Sequence, residues 1–289
     1  MRASFFSLNI QMNTPIKTLG AALIAGIMAT GCASQEERLD QRAFVERPVE
    51  VLYTEAAEEL DNRSYADAIL QFSEVERQHP FSEWARRSML MSAYASYQAN
   101  RYDAAIQGAQ RYIALYPGTE SAAYAYYLIA VSHFERIVDV GRDQRTTENA
   151  LAALQDVVRR FPESAYARDA QLKIDMARDQ LAGKEMEVGR FYLRENDLIA
   201  AAGRFQKVID DYQTTSHVAE ALHRLTEVYL SLGLRDQAMA SSAILGANYP
   251  GSPWYEQSYA LMTEAQLTPI TAPDRRERGF FRGLRESLF

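Results

Sequence analysis

Residues 64–97, SYADAILQFSEVERQHPFSEWARRSMLMSAYASY, and residues 100–134, NRYDAAIQGAQRYIALYPGTESAAYAYYLIAVSHF, follow one plan. An amphipathic stretch closes on Gln78-His79-Pro80 in the first and on Leu115-Tyr116-Pro117 in the second; a hydroxyl residue and a second apolar stretch follow. Three further segments close in the same way, at Arg160-Phe161-Pro162, Asp211-Tyr212-Gln213 and Asn248-Tyr249-Pro250. Proline just past a helix end is a stop signal. Ser82, Thr119, Ser164, Thr215 and Ser252 then stand where N-caps are expected. Twelve residues before each proline or its equivalent sits an alanine: Ala68, Ala105, Ala150, Ala201 and Ala238. Larger apolar residues follow at helical spacing, as in Phe72 and Val75, Leu154 and Val157, Phe205 and Val208.

This is the pattern of the tetratricopeptide repeat, a helix–turn–helix unit of about 34 residues. The alanines are small because the paired helices cross closely there. The first helix of repeat four carries Val188-Gly189 and Tyr192, and Ala56, Ala93 and Ala130 take its small position in repeats one to three. The expected fold is all-α, a superhelix of five such repeats, because one helix pair cannot bury its apolar face alone and stacked pairs can.

The closing residues are spaced 37, 45, 51 and 37 apart. The eight extra residues fall at Asp139–Thr146, DVGRDQRT, a charged loop between the helices of repeat three. The fourteen extra lie between Pro162 and Gly189. Fourteen residues are close to four helical turns, so the buried face is nearly kept. A long helix over 165–194 is expected, with Gly183 as the place where it would bend. It separates repeats one to three (48–181) from repeats four and five (182–267).

First-helix residues line the inner groove of such an array. Tyr53 and Leu60 in repeat one, Leu90, Tyr94, Tyr97 and Gln98 in repeat two, and Tyr127 in repeat three are the candidate peptide-binding residues. Tyrosines suit aromatic or apolar peptide side chains and offer hydroxyls to a backbone. The competing reading makes them inter-repeat core.

The front of the chain reads as an export signal. Leu19–Ala29, LGAALIAGIMA, is apolar, too short to span a bilayer, and preceded by Lys17. Translation starts at Met1 or at Met12. Small residues lead into Cys32, the sole cysteine, so residues 1–31 are expected to be a lipoprotein signal and Cys32 the acylated first residue. Ala29 stands where such signals usually carry leucine. Two or three acyl chains anchor stably where one does not. Ala33 and Ser34 follow, neither of them the aspartate of inner-membrane retention, which points to the periplasmic face of the outer membrane. Residues 32–47 make the lipidated cysteine and a polar tether, of roughly 50 Å when extended.

The whole chain has net charge −7, and the mature chain about −9 once Arg2 and Lys17 are removed, which argues against nucleic acid. His79, His133, His217 and His223 form no i, i+4 pair and no cluster with cysteine, so no metal site, cofactor or catalytic residue is expected. No nucleophile elbow or phosphate loop appears. After the proline-punctuated linker at 268–273, the extension ends in DRRERGFFRGLRESLF, where Phe280, Leu284 and Leu288 share one helical face. Docking on a partner, lying on a membrane and a frayed tail stand open for residues 268–289.

The chain resembles the BamD family (also YfiO or ComL) over essentially all of its mature length, most specifically in the two stretches quoted above and in EMEVGRFYLRENDLIAAAGRFQKVIDDYQTT, residues 185–215. The resemblance implies a lipoprotein partner of the outer-membrane β-barrel insertase BamA and of the other Bam lipoproteins. It implies that the N-terminal repeats help receive unfolded outer-membrane proteins and that the C-terminal repeats hold the periplasmic domains of BamA. An arginine on the second helix of repeat four contacts BamA in that family, and Arg204 matches it. Gln213, in place of proline, departs from the pattern. The alternative is a pilotin-type lipoprotein that delivers a secretin to the outer membrane, for which evener spacing without a long dividing helix is expected. A periplasmic cell-wall scaffold is a third, but no coiled coil is visible in residues 33–50.

Overall fold

The computed structural model describes residues 46–267. The signal, Cys32, most of the tether and the C-terminal extension lie outside the described residues. Among those described there are eleven helices and no strand: α1 Val49–Asp61, α2 Tyr65–Gln78, α3 Glu83–Gln98, α4 Tyr102–Leu115, α5 Ala122–Phe134, α6 Arg145–Arg160, α7 Ala165–Arg194, α8 Leu198–Asp211, α9 Val218–Ser231, α10 Arg235–Asn248 and α11 Pro253–Glu264. Each packs on the next in antiparallel pairs. The first helices of successive repeats also pack directly, α1 on α3, α3 on α5, α5 on α7 and α9 on α11, while the second helices make no comparable contact with one another. First helices therefore form the inner layer of the array. Helix α11 is a further helix of this type and closes it.

The small positions lie where the repeat pattern requires. Ala68, Ala105, Ala150, Ala201 and Ala238 are fully buried, as are Phe72, Val75, Leu154, Val157, Phe205 and Val208. Removing the ring of a residue such as Phe205 from this packing costs about 3–5 kcal/mol. Gly189 allows the closest crossing: a methyl group added there would lie 2.5 Å from Phe205 Cε1.

One turn joins the two helices of four repeats. Arg63, Asn100, Asn196 and Gly233 take positive φ two residues past the first helix. The following amide reaches back to close the helix end: Ser64 N to Glu59 O, Arg101 N to Ser96 O, Asp197 N to Tyr192 O and Leu234 N to Tyr229 O, each 2.8–2.9 Å. Glycine and asparagine tolerate this left-handed position. Gln266 and the bond from Leu267 N to Met262 O end α11 in the same manner, as befits a first-type helix.

The expected caps hold for three of five. Ser82, Ser164 and Ser252 accept from Ala85 N, Ala167 N and Trp254 N. Thr119 and Thr215 do not cap: α5 and α9 start at Ala122 and Val218, with Ser121 and His217 ahead of them. Their hydroxyls donate instead to Tyr116 O and Tyr212 O, at 3.0 and 2.8 Å. Ser82 and Ser164 make the same backward bond, to His79 O and Phe161 O. In four of the five the hydroxyl thus closes the turn, and capping is added where the helix starts at once; Ser252 caps, and its backbone amide makes the bond back to Tyr249 O.

Helix α7 is one continuous helix of 30 residues that passes through Gly183 without a break. Its first half packs Ala170 and Ile174 against Ala130, Leu154 and Val157. Its second half packs Ala182 and Met186 with Ala201, Phe205 and Leu222. The long loop of repeat three folds onto the middle of this helix. Gln180 Nε2 donates to Val138 O at 2.9 Å and Lys184 Nζ to Gly141 O at 3.2 Å. Buried Gln144 organises the loop by donating to the carbonyls of Asp139, Val140 and Arg142. The two length excesses in the sequence therefore pack on each other. Gly183 has its Cα surface facing Val140 and His217, 3.1 and 3.2 Å from where a Cβ would stand.

Candidate partner-binding surfaces

Repetition of the first-helix pattern brings a row of tyrosines across α3, α5 and α7. Tyr94 meets Tyr124 at 6.4 Å between ring centres, Tyr124 meets Tyr166 at 5.5 Å, and Tyr166 meets Tyr127 at 5.2 Å. All four are partly buried. Tyr97 packs on Tyr102, and its hydroxyl donates to Glu135 at 3.3 Å. Tyr127 donates to Asp169, and Gln98 Nε2 donates to the Tyr94 hydroxyl. Burial and the neighbouring Glu135 carboxylate push Tyr97 up to about 12. Burial also raises Tyr124, by its own desolvation and by the other tyrosines, and Tyr127, with Asp169 adding to it. These hydroxyls are neutral donors at any physiological pH. The Tyr127 hydrogen bond, with Lys173 behind it, holds the Asp169 carboxyl below the usual range. The surface is a stacking platform with an acidic rim.

The other residues singled out from the sequence lie as follows. Tyr53 sits between Phe72 and Trp84, at 5.6 and 4.8 Å, and Leu60 packs in the same cluster. Leu90 is only 8% exposed and lies in the core with Met89, Ala93 and Leu128. It supports the surface from beneath, because α5 covers it. Tyr124 and Tyr166 escaped the sequence reading. Tyr124 is one turn before Tyr127 and was legible from that spacing; Tyr166 joins the row only through helix packing.

Arg204 projects from α8 beside Lys207, and both reach Glu185 on α7. Arg204 Nη1 lies 3.0 Å from Glu185 Oε2, and Lys207 Nζ 2.6 Å from Oε1. Burial pushes the Glu185 carboxyl up, but the two cations outweigh it and hold it below the ordinary value. The Glu185 hydrogen bond in turn raises Lys207. Nearby, Arg190 Nη1 contacts both carboxylate oxygens of Glu220 at 3.0 Å, and Arg224 Nη1 donates to Glu227 at 2.8 Å. Fixed carboxylates hold these guanidinium groups in place before any partner arrives. No group of three or more potential metal ligands occurs among the described residues.

Five helix pairs closed by α11 define a tetratricopeptide-type helical array that presents aromatic and charged surfaces. The model of the YfiO family, described as an outer membrane lipoprotein, matches residues 45–245. The chain is 52% identical over 266 residues to the outer membrane protein assembly factor BamD of Caulobacter vibrioides, covering 92% of this chain and 87% of that protein. It is 42% identical to the BamD of Rickettsia prowazekii, covering 86% and 98%, and 33% identical to that of Neisseria meningitidis serogroup A, covering 81% and 92%. The chain belongs to the YfiO family of outer membrane lipoproteins.

Proposed function

We propose that this chain is a scaffold of the outer-membrane β-barrel assembly machinery. It is anchored through acylated Cys32 on the periplasmic face. It binds a BamA-like insertase and other Bam lipoproteins, and helps receive unfolded outer-membrane proteins. The observation that carries this reading is the 52% identity to an outer membrane protein assembly factor across nearly the full length of both chains. We assign substrate contact to repeats one to three (48–181), through Tyr94, Tyr97, Gln98 and Tyr127 at the platform and Tyr53 and Leu60 in repeat one, and insertase contact to repeats four and five (182–267). Holding and positioning, not catalysis, is the work assigned to both. The pilotin alternative calls for evenly spaced repeats without a long dividing helix, and α7 runs for 30 residues.

Arg204 is the residue proposed to meet a carboxylate of the insertase. Lys207 still pairs Glu185 when Arg204 is lost, so Arg204→Ala leaves the fold intact while Arg204→Glu adds repulsion. Both variants are expected to recover less insertase on affinity purification from outer membranes, the glutamate variant least. Normal recovery by both, at unchanged protein level, removes Arg204 from the interface. For the anchor, Cys32→Ala is expected to abolish acyl labelling and release the protein from the outer-membrane fraction. A variant that still fractionates with the membrane refutes lipid anchoring at Cys32.

A further inference from the structure

Each of the five repeats lays a second helix on its first, and α11 has no second helix among the described residues. The small position of a first helix meets its own second helix: a methyl group added at Gly108 of α4 would lie 2.9 Å from Ala93 Cβ, and one added at Gly189 would strike Phe205. That position is buried in all five repeats, at Ala56, Ala93, Ala130, Gly189 and Thr226. Four residues before it, Leu52, Met89, Glu185 and Leu222 are buried and Tyr126 is partly buried. In α11 the same two places hold Thr263 and Tyr259. Thr263 is exposed, Tyr259 is 45% exposed, and Ala260 between them is exposed as well.

The chain leaves α11 in the direction of the missing helix. Gln266 takes positive φ and Leu267 N bonds back to Met262 O, the turn that leads from first to second helix in four repeats. In those repeats the second helix begins at the next residue, Tyr65, Tyr102, Leu198 or Arg235. Pro273 forbids a helix running through from residue 268, so one can start only past it, at Asp274. The link is then residues 265–273. Repeat three has a link of similar length, Glu135–Gln144, and α6 still packs on α5. Nine extended residues reach roughly 30 Å, against about 18 Å for the whole of α11.

We propose that residues 274–289 of this same chain form the second helix of a sixth repeat and cover the open face of α11. Phe280, Leu284 and Leu288 supply the apolar stripe that meets Tyr259, Ala260 and Thr263. Charge favours the pairing: α11 carries Glu256 and Glu264 and no basic residue, while 274–289 holds five arginines against three acids. Arg278, Arg282 and Arg285 fall on the opposite helical face, which gives the array the polar outer surface that its end requires. The short link makes the contact intramolecular, at an effective concentration on the order of millimolar, so a modest apolar face is enough to hold it. This half-repeat lies beyond residues 45–245, the part matched by the family model.

The test uses the full mature chain, 32–289, with Cys32→Ala, which removes its sole cysteine. Tyr259→Cys is combined in turn with Phe280→Cys, Leu284→Cys and Leu288→Cys, and with Arg278→Cys, Arg282→Cys and Arg285→Cys as controls equally near in sequence. Under mild oxidation, at least one pair of the first set is expected to close an intramolecular disulfide tenfold faster than any control. No membrane or partner is present, so a segment that needs either one gives no such selectivity. Equal rates in the two sets, or no closure in either, overturn the proposal. Disulfides between molecules make a second copy the occupant and overturn it, and so does faster closure with Leu172→Cys on the exposed face of α7 than with Tyr259→Cys. A second readout needs no added thiol. Phe280→Ser with Leu284→Ser is expected to speed hydrogen exchange of the α11 amides at least fivefold and to leave α1 unchanged, and α11 exchange indifferent to the double variant refutes the contact. None of these outcomes depends on whether the chain serves an insertase.

Discussion

His223 is 4% exposed, its Nδ1 lies 2.9 Å from Ser258 Oγ, and its ring packs 5.4 Å from Trp254. These contacts join α9 to the closing helix. Burial, helped by the Arg224 cation, holds its pKa below 6.5 against the opposing pull of Glu227 and Glu220. The folded state therefore keeps the ring neutral in a range where the unfolded chain protonates it. Between the depressed folded value and 6.5 the unfolded state binds more protons, so stability falls as the pH falls through that window and is unaffected above it. His133, lowered by burial and Arg136, acts with the same sign. The thermal midpoint is expected to drop between pH 7 and pH 5, and to drop less in His223→Gln, which can keep a hydrogen bond to Ser258. An identical pH dependence in that variant would remove His223 as the source.

At the scale of the elements, the close crossing of α7 and α8 makes one substitution act in opposite directions at two sites. Gly189→Ala drives a methyl group into the buried Phe205 ring, 2.5 Å from Cε1. Overpacking of this kind costs about 1–3 kcal/mol, more than the gain of up to about 1 kcal/mol from better helix propensity. Gly203→Ala, on the exposed side of α8, meets nothing within 4 Å and is expected to stabilise by about 0.5–1 kcal/mol. Urea unfolding of the two variants decides the point, and a shared sign contradicts the crossing geometry.

The helices themselves were legible because their signals are periodic and local. Ala68 through Ala238 mark the crossings, and fourteen added residues keep a helical face in register, so the long α7 followed from arithmetic. What lay beyond reach depends on contacts between distant residues. Glu185 as the shared partner of Arg204 and Lys207, Tyr166 in the aromatic row, and the loop at Val138–Gly141 on α7 join segments with no common sequence period. Leu90 shares its helix with the groove residues, but α5 packs over it, a contact that no sequence period marks. Thr119 and Thr215 are cap residue types, but their helices start three residues later, which is enough to change their role.

Over the whole molecule, stability of a repeat array is the sum of its units and of their nearest-neighbour interfaces. Repeats three and four are joined through the uninterrupted backbone of α7 and a few bonds around its centre. Asp179 accepts from Ser216 N and Oγ at 3.0 and 2.8 Å, and the repeat-three loop bonds to Gln180 and Lys184. Gly183 lies at this centre. Proline there removes a helical hydrogen bond and clashes with the preceding turn, costing about 3 kcal/mol or more. The chain has two tryptophans, Trp84 in α3 and Trp254 in α11, one on each side of the junction. Variants keeping one or the other report each half separately. With α7 intact, both probes are expected to show one urea midpoint, because cooperative unfolding makes probes coincide. With Gly183→Pro the two midpoints should separate, the half with the weaker remaining interfaces unfolding first. Midpoints that already differ in the parent, or that stay together after the helix is broken, would show that α7 is not what couples the two groups of repeats.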